Sequence, residues 1–102
     1  MVWLNLDPQA GHEQSGKRPA VVLSPEIYNK KTGLALFCPV TSQVKGYPFE
    51  VPLPAKLPVS GVILVDHIKN MDWRSRSAVF IARLPQNIIG DVLARLRSLI
   101  DQ

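Results

Sequence analysis

Apolar and polar positions alternate in short runs punctuated by Pro, Gly, Asn and Asp, the pattern of a β-rich domain. "VWLNL" (2–6) reads as an alternating strand stopped by Asp7-Pro8. "PAVVLS" (19–24) and "GLALFCPV" (33–40) are continuous apolar runs, expected of strands covered on both faces. Between them Ser24-Pro25 predicts the start of a short helix, "PEIYNKK", because proline suits the first helical turn. "YPFEVPL" (47–53) alternates, but Pro48 and Pro52 have no ladder donor, which assigns it to a sheet edge. "GVILV" (61–65) and "AVFIARL" (78–84) supply two more strands. From Pro85 the period changes. Ile88, Ile89, Val92, Leu93, Leu96, Leu99 and Ile100 recur three and four apart and line one face of a C-terminal helix. Gly90 within it costs about 1 kcal/mol relative to alanine. Arg95 and Arg97, near its C-terminal end, read as solvated cations that oppose the helix dipole. The prediction is an α+β, mainly β fold: a small barrel or strongly curved sheet with a short internal helix and a closing C-terminal helix.

A length of 102 residues predicts one domain, 1–102, with a thin core that favours sharing apolar surface with a partner chain. With 46% apolar residues the chain is not disordered, and no run reaches the roughly 18 apolar residues of a membrane span. No basic segment precedes a short apolar one near residue 1, so the expectation is a cytoplasmic protein without membrane attachment. The lone cysteine, Cys38, lies within "LALFCPV" and reads as a buried apolar side chain. Twelve Lys and Arg against eight Asp and Glu give a net charge of +4. That balance suits a polyanionic partner, and it equally suits a moderately basic surface. Seven aromatics are too few for a broad base-stacking platform.

The sequence has no Gly-x-x-x-x-Gly-Lys, His-Glu-x-x-His or Gly-x-Ser-x-Gly, no paired cysteines, and only two distant histidines, His12 and His67. Any catalysis is therefore expected to need neither metal nor organic cofactor. Candidate chemistry lies in three polar segments beside strands. In "GHEQSGKRP" (11–19), Arg18 precedes a proline that biases its backbone towards an extended form at a strand entrance. A planar, permanent cation there can hold a phosphodiester and neutralise transition-state charge, or it can pair with Glu13 to pin the loop. In "PVTSQVKGYP" (39–48), the Thr41 hydroxyl can reach a phosphate oxygen, with Ser42, Gln43 and Lys45 lining the same groove, or Thr41-Ser42 is simply turn chemistry. In "VDHIKNMDWRSRS" (65–77), Asp66 and His67 end a strand, and Lys69, Arg74 and Arg76 surround Trp73. Trp73 either joins a nucleic-acid surface or covers the edge of the core.

"LDPQAGHEQSGKRPAVVLSPEIYNKKTG", "VTSQVKGYPFEVPL" and "GVILVDHIKNMDWRSR" together resemble the MazF/PemK toxins of type II toxin–antitoxin systems over nearly the whole chain. The resemblance implies an SH3-like barrel (CcdB/PemK-like) acting as a homodimer. It implies a metal-independent, sequence-specific endoribonuclease that cuts single-stranded RNA to 2′,3′-cyclic phosphate and 5′-hydroxyl ends. A cognate antitoxin with a disordered tail would neutralise it. Residue by residue, Arg18 and Thr41 match the family's catalytic pair, His12, Glu13 and Asp66 take supporting places, and Gln14, Lys17, Ser42, Gln43, Lys45, Lys69 and Arg74 fall to RNA binding. Some relatives use an Arg two residues before the Asp; here that position is Leu64, so that alternative set is incomplete. Relatives usually carry a few residues before the first strand, and their lack here implies a shorter strand. Two other classes stand beside this reading. One is a gyrase poison on the same fold, which relies on a Trp near the end that "RLRSLIDQ" lacks. The other is an inactive RNA-binding relative, which the presence of both Arg18 and Thr41 disfavours.

Overall fold

The computed structural model describes residues 1–6 and 16–101. In chain order the elements are β1 (Val2–Asn5), β2 (Lys17–Val22), α1 (Glu26–Thr32), β3 (Leu34–Thr41), β4 (Glu50–Pro52), β5 (Val62–Leu64), a 3₁₀ turn (Val65–His67), β6 (Lys69–Asp72), β7 (Val79–Phe80) and α2 (Gln86–Ile100). The strands pair antiparallel in the order β4-β5-β3-β2-β1-β7, with β6 also on β3.

β3 is the hub. One edge pairs with β2, from Ala20↔Pro39 to Val22↔Phe37. The other edge is divided, with Leu34 to Phe37 facing β6 and Val40 and Thr41 facing β5. A strand that changes partner half-way carries the curvature of the whole sheet, and the 3₁₀ turn spans the change. Consecutive buried residues Phe37 and Cys38 show that β3 is covered on both faces, as its continuous apolar run predicts.

On one face, Val21, Cys38, Val40, Ile63 and Val65 form the larger cluster, which α2 closes with Val92 and with Ile88, Ile89 and Leu96. Each such aliphatic side chain taken fully out of water stabilises by about 1.5–3 kcal/mol. On the opposite face, Leu4, Ala20, Ala35 and Phe37 form a smaller cluster, bordered by Met71 and Trp73.

The sequence pattern and the structure part in a few places. β6 lies inside the segment read as polar surface: "KNMD" shows no apolar alternation because its backbone pairs with β3 while Lys69, Asn70 and Asp72 stay exposed. β7 keeps only Val79 and Phe80 of the predicted 78–84. Beyond it the Ile81 amide still bonds the Met1 carbonyl at 2.9 Å, and the chain then turns inward so that Leu84 joins the larger cluster. β4 is shorter than 47–53, and it lies at the end of the sheet as its prolines require. Among the described residues no helix is long and apolar enough to cross a membrane.

Candidate nucleic-acid interface

Among the described residues, three grooves border β2 and β3. The first, about 550 Å³, has an apolar floor that includes Leu4, Phe37 and Met71 and a polar rim of Arg18, Lys69 and Arg76. The second, about 430 Å³, is bounded by Lys17, Arg18, Ser42 and the 58–60 segment. The third, about 160 Å³, is lined by Thr41, Gln43, Lys45, Tyr47 and Glu50. Arg18 belongs to the first and second grooves, while Asp66 and His67 belong to the first and third.

The β2–β3 ladder runs from Val22↔Phe37 to Ala20↔Pro39, so Arg18 and Thr41 lie two residues beyond the last pair, at the same end of the two strands. Arg18 is exposed, and β1 backs it through the pair Leu4↔Arg18. Thr41 is the last residue of β3, and its Oγ1 accepts the Gln43 amide at 3.1 Å. That bond uses a lone pair and leaves the hydroxyl proton to be donated elsewhere, so the turn role and a phosphate-binding role coexist. The close approach of the 58–61 segment fixes the same strand end. Gly61 has φ +128°, and a Cβ there would stand 2.2 Å from the Thr41 carbonyl oxygen.

Asp66 and His67 are exposed on the 3₁₀ turn, with Nε2 of His67 3.9 Å from Oδ1 of Asp66. Beneath the turn, Cys38 donates to the Val65 carbonyl at 3.8 Å, and burial, followed by the Asp66 charge, pushes its thiol up to about 11. A thiol so far from ionising is no nucleophile. Trp73 covers the edge of the smaller cluster: its Nε1 donates to the Asn29 carbonyl at 2.8 Å, and the Arg74 guanidinium lies 4.7 Å from the ring centroid. The Asp72 carboxylate organises that turn by accepting the Arg74 and Ser75 amides, both at 3.0 Å, and the Ser75 backbone bond is the leading reason its pKa is lowered.

Of the sequence candidates, Arg18, Lys17, Thr41, Ser42, Gln43, Lys45, Asp66 and Lys69 gather on the grooves. Arg74 stacks on Trp73 instead, outside the lining of the three grooves. His12, Glu13 and Gln14 lie outside the described residues. Arg76, one of the basic residues of the third polar segment, lines the first groove and donates to the Asn5 carbonyl at 3.4 Å. The structure adds one group. Glu50 is the one charged side chain buried among the described residues. The hint for Glu50 was a lone carboxylate inside the short apolar run "PFEVPL". A polar residue in such a run is either an error of reading or held by hydrogen bonds.

Comparison with known proteins establishes the family and the fold. Residues 1–100 match the model of the PemK-like, MazF-like toxins of type II toxin–antitoxin systems. The chain belongs to the MazF/PemK toxin family. It is 53% identical over 78 residues to the endoribonuclease toxin MazF of Escherichia coli K12, spanning 76% of this chain and 69% of that protein. The crystal structure of MazF from Deinococcus radiodurans superposes with a TM-score of 0.89 at 58% identity, over 99% of this chain and 92% of that one. A MazE–MazF crystal structure from the same organism gives a TM-score of 0.91 at 60% identity, over 97% of this chain and 89% of that one. The curved antiparallel sheet with its two helices is thus the MazF-like fold.

Proposed function

We propose that this MazF/PemK-family toxin is a metal-independent, sequence-specific endoribonuclease of the cytoplasm that cuts single-stranded RNA through its own 2′-hydroxyl. The observation that carries the reading is that Arg18 and Thr41, at one end of β2 and β3, line grooves that share Asp66 and His67 and include Lys17, Lys45, Lys69 and Arg76 in their linings. Relatives that bear the name endoribonuclease support it. In the reaction the 2′-oxygen loses its proton as it bonds phosphorus, the bond from phosphorus to the 5′-oxygen breaks, and that oxygen takes up a proton. The products are a 2′,3′-cyclic phosphate and a 5′-hydroxyl. The substrate brings its own nucleophile, so the protein's task is to splay the backbone in line and hold the negative charge that builds on the phosphoryl oxygens. The Arg18 guanidinium and the Thr41 hydroxyl have the right chemistry for that charge. Ser42, Gln43 and Lys45 supply donors and acceptors for exposed base edges.

The expected result is cleavage of single-stranded RNA at a short motif in excess EDTA, with 5′-hydroxyl ends. A substrate carrying a single 2′-deoxy sugar at the scission point should stay intact. Cutting at that deoxy position, or a requirement for magnesium, would overturn the mechanism.

The partners follow from the surface. The MazE–MazF structures support a cognate antitoxin partner; the mode that suits the grooves is a disordered tail that occupies them and competes with RNA. β7 ends the sheet, with Val79 51% and Phe80 70% exposed, and an apolar unpaired edge suits pairing with a second copy. The double change Val79→Lys, Phe80→Glu is expected to weaken a homodimer by at least about tenfold, since it removes two apolar contacts. Sedimentation velocity across a concentration series checks this, and an unchanged dimer would move the interface elsewhere.

A further inference from the structure

Residues 42–46 supply Gln43 and Lys45 to the third groove, yet only Val40 and Thr41 before them are held by β5. What fixes their path is Glu50. Its side chain is 7% exposed and turns back towards the segment that precedes it. Oε1 accepts the Gly46 amide at 2.8 Å and the Lys45 amide at 3.3 Å, and Oε2 accepts the Lys45 amide at 3.1 Å. The Glu50 amide in turn donates to the Tyr47 carbonyl at 3.1 Å, so residues 45–50 close into a small knot. Among the described residues no cation pairs with this carboxylate, and consecutive backbone N–H groups take the place of a counter-ion. Gly46, at φ +82°, lets both amides face inward. The knot is also tied from outside. Arg95 of α2 pairs with Asp91 at 2.9 Å and donates Nη1 to the Pro48 carbonyl, so the helix that closes the core also holds this loop.

We propose that Glu50 is a positioning residue whose carboxylate sets the path of residues 42–46 and so selects which RNA sequence is cut. The proposal rests on the reading of these grooves as the RNA site. A carboxylate accepts from both amides, whereas a glutamine of the same size has one acceptor oxygen and would turn an NH₂ group towards a donor. Glu50→Gln therefore keeps the volume, removes the charge, and sets an NH₂ group against the Lys45 amide while leaving a single oxygen for both donors. Charge-assisted bonds of this kind are worth enough that their loss should change the relevant rates by about tenfold or more.

The test compares wild type, E50Q and E50D by amide hydrogen exchange and by sequencing the ends of cleaved RNA. In E50Q the Lys45 and Gly46 amides should exchange at least about tenfold faster, kcat/KM should fall about tenfold mainly through KM, and the set of cleaved sequences should broaden. E50D keeps two acceptors and should restore part of the protection and of the selectivity; it also serves as the test if E50Q fails to fold. Unchanged exchange at both amides overturns the clamp. A uniform slowing of every site with the same cleavage motif makes Glu50 merely structural and overturns the positioning role. A wild-type protein that leaves RNA intact overturns the reading of the groove, while the exchange rates still decide on the clamp.

Discussion

Arg18→Ala is expected to lower single-turnover RNA cleavage by about 10³-fold while leaving the protein folded. A single preorganised donor aimed at developing charge contributes about 10²–10³ in rate, and a guanidinium on a phosphoryl group more. The fold should tolerate the change because Arg18 is exposed and, among the described residues, makes no ion pair; the pairing with Glu13 considered from sequence falls on a residue outside them. β2 holds the main chain through Leu4↔Arg18 and Trp3↔Pro19, and that pairing does not depend on the side chain. Arg18→Lys should recover only part of the rate, because an ammonium keeps the charge and loses the planar fork. The measurement is cleavage under enzyme excess, alongside thermal unfolding of each variant and the affinity of an uncut 2′-deoxy analogue. Binding should weaken far less than cutting if the guanidinium acts mainly in the transition state. A folded Arg18→Ala protein that cuts within threefold of wild type would remove Arg18 from the catalytic pair.

Among the described glycines, Gly61→Ala should be the most damaging alanine substitution, destabilising by about 4 kcal/mol. The Cβ would meet the Thr41 carbonyl oxygen at 2.2 Å, its carbonyl carbon at 2.9 Å and Cα of Ser42 at 3.3 Å, and all three atoms are backbone. No flexible side chain can move aside, and φ +128° is itself strained for any residue with a Cβ. For a domain of this size the loss corresponds to a fall in Tm of roughly 15 °C or more. The clash also pushes on Thr41, so the fraction that remains folded should cut RNA more slowly. Gly90→Ala is the matched control. Gly90 lies in α2 with nothing within 4 Å of an added Cβ, and its substitution should stabilise by up to about 1 kcal/mol. Melting curves of both variants give the contrast, and a Gly61→Ala protein as stable as wild type would show that the 58–61 segment need not approach Thr41.

Much of the fold and part of the site were legible before any coordinates. Strand β3 announced itself because both of its faces are buried, so eight residues from Leu34 to Thr41 had to be mostly apolar. Helix α2 announced itself by its apolar stripe, of which Ile88, Ile89, Val92 and Leu96 pack on the core whereas Leu93, Leu99 and Ile100 are exposed. β6 gave no such signal. A strand whose side chains mostly face solvent is stabilised by backbone pairing with β3, and backbone pairing leaves no mark on residue type. Glu50 stayed hidden for a related reason. Its partners are the main-chain amides of Lys45 and Gly46, which every non-proline residue owns, so no side-chain pattern encodes them.

The sequence by itself determined the polar loops, the apolar periods, and an arginine pinned before a proline at a strand entrance, because each of these is local chemistry. It also held the family motifs that relate the chain to MazF. Tertiary structure alone decided that Arg18 and Thr41 lie at the same end of β2 and β3, that Arg76 joins the groove of Arg18 while Arg74 does not, and that Gly61 must lack a side chain. Those facts depend on strand register and on backbone atoms brought within a few ångströms from distant parts of the chain. Neither quantity can be read from the order of the residues one stretch at a time.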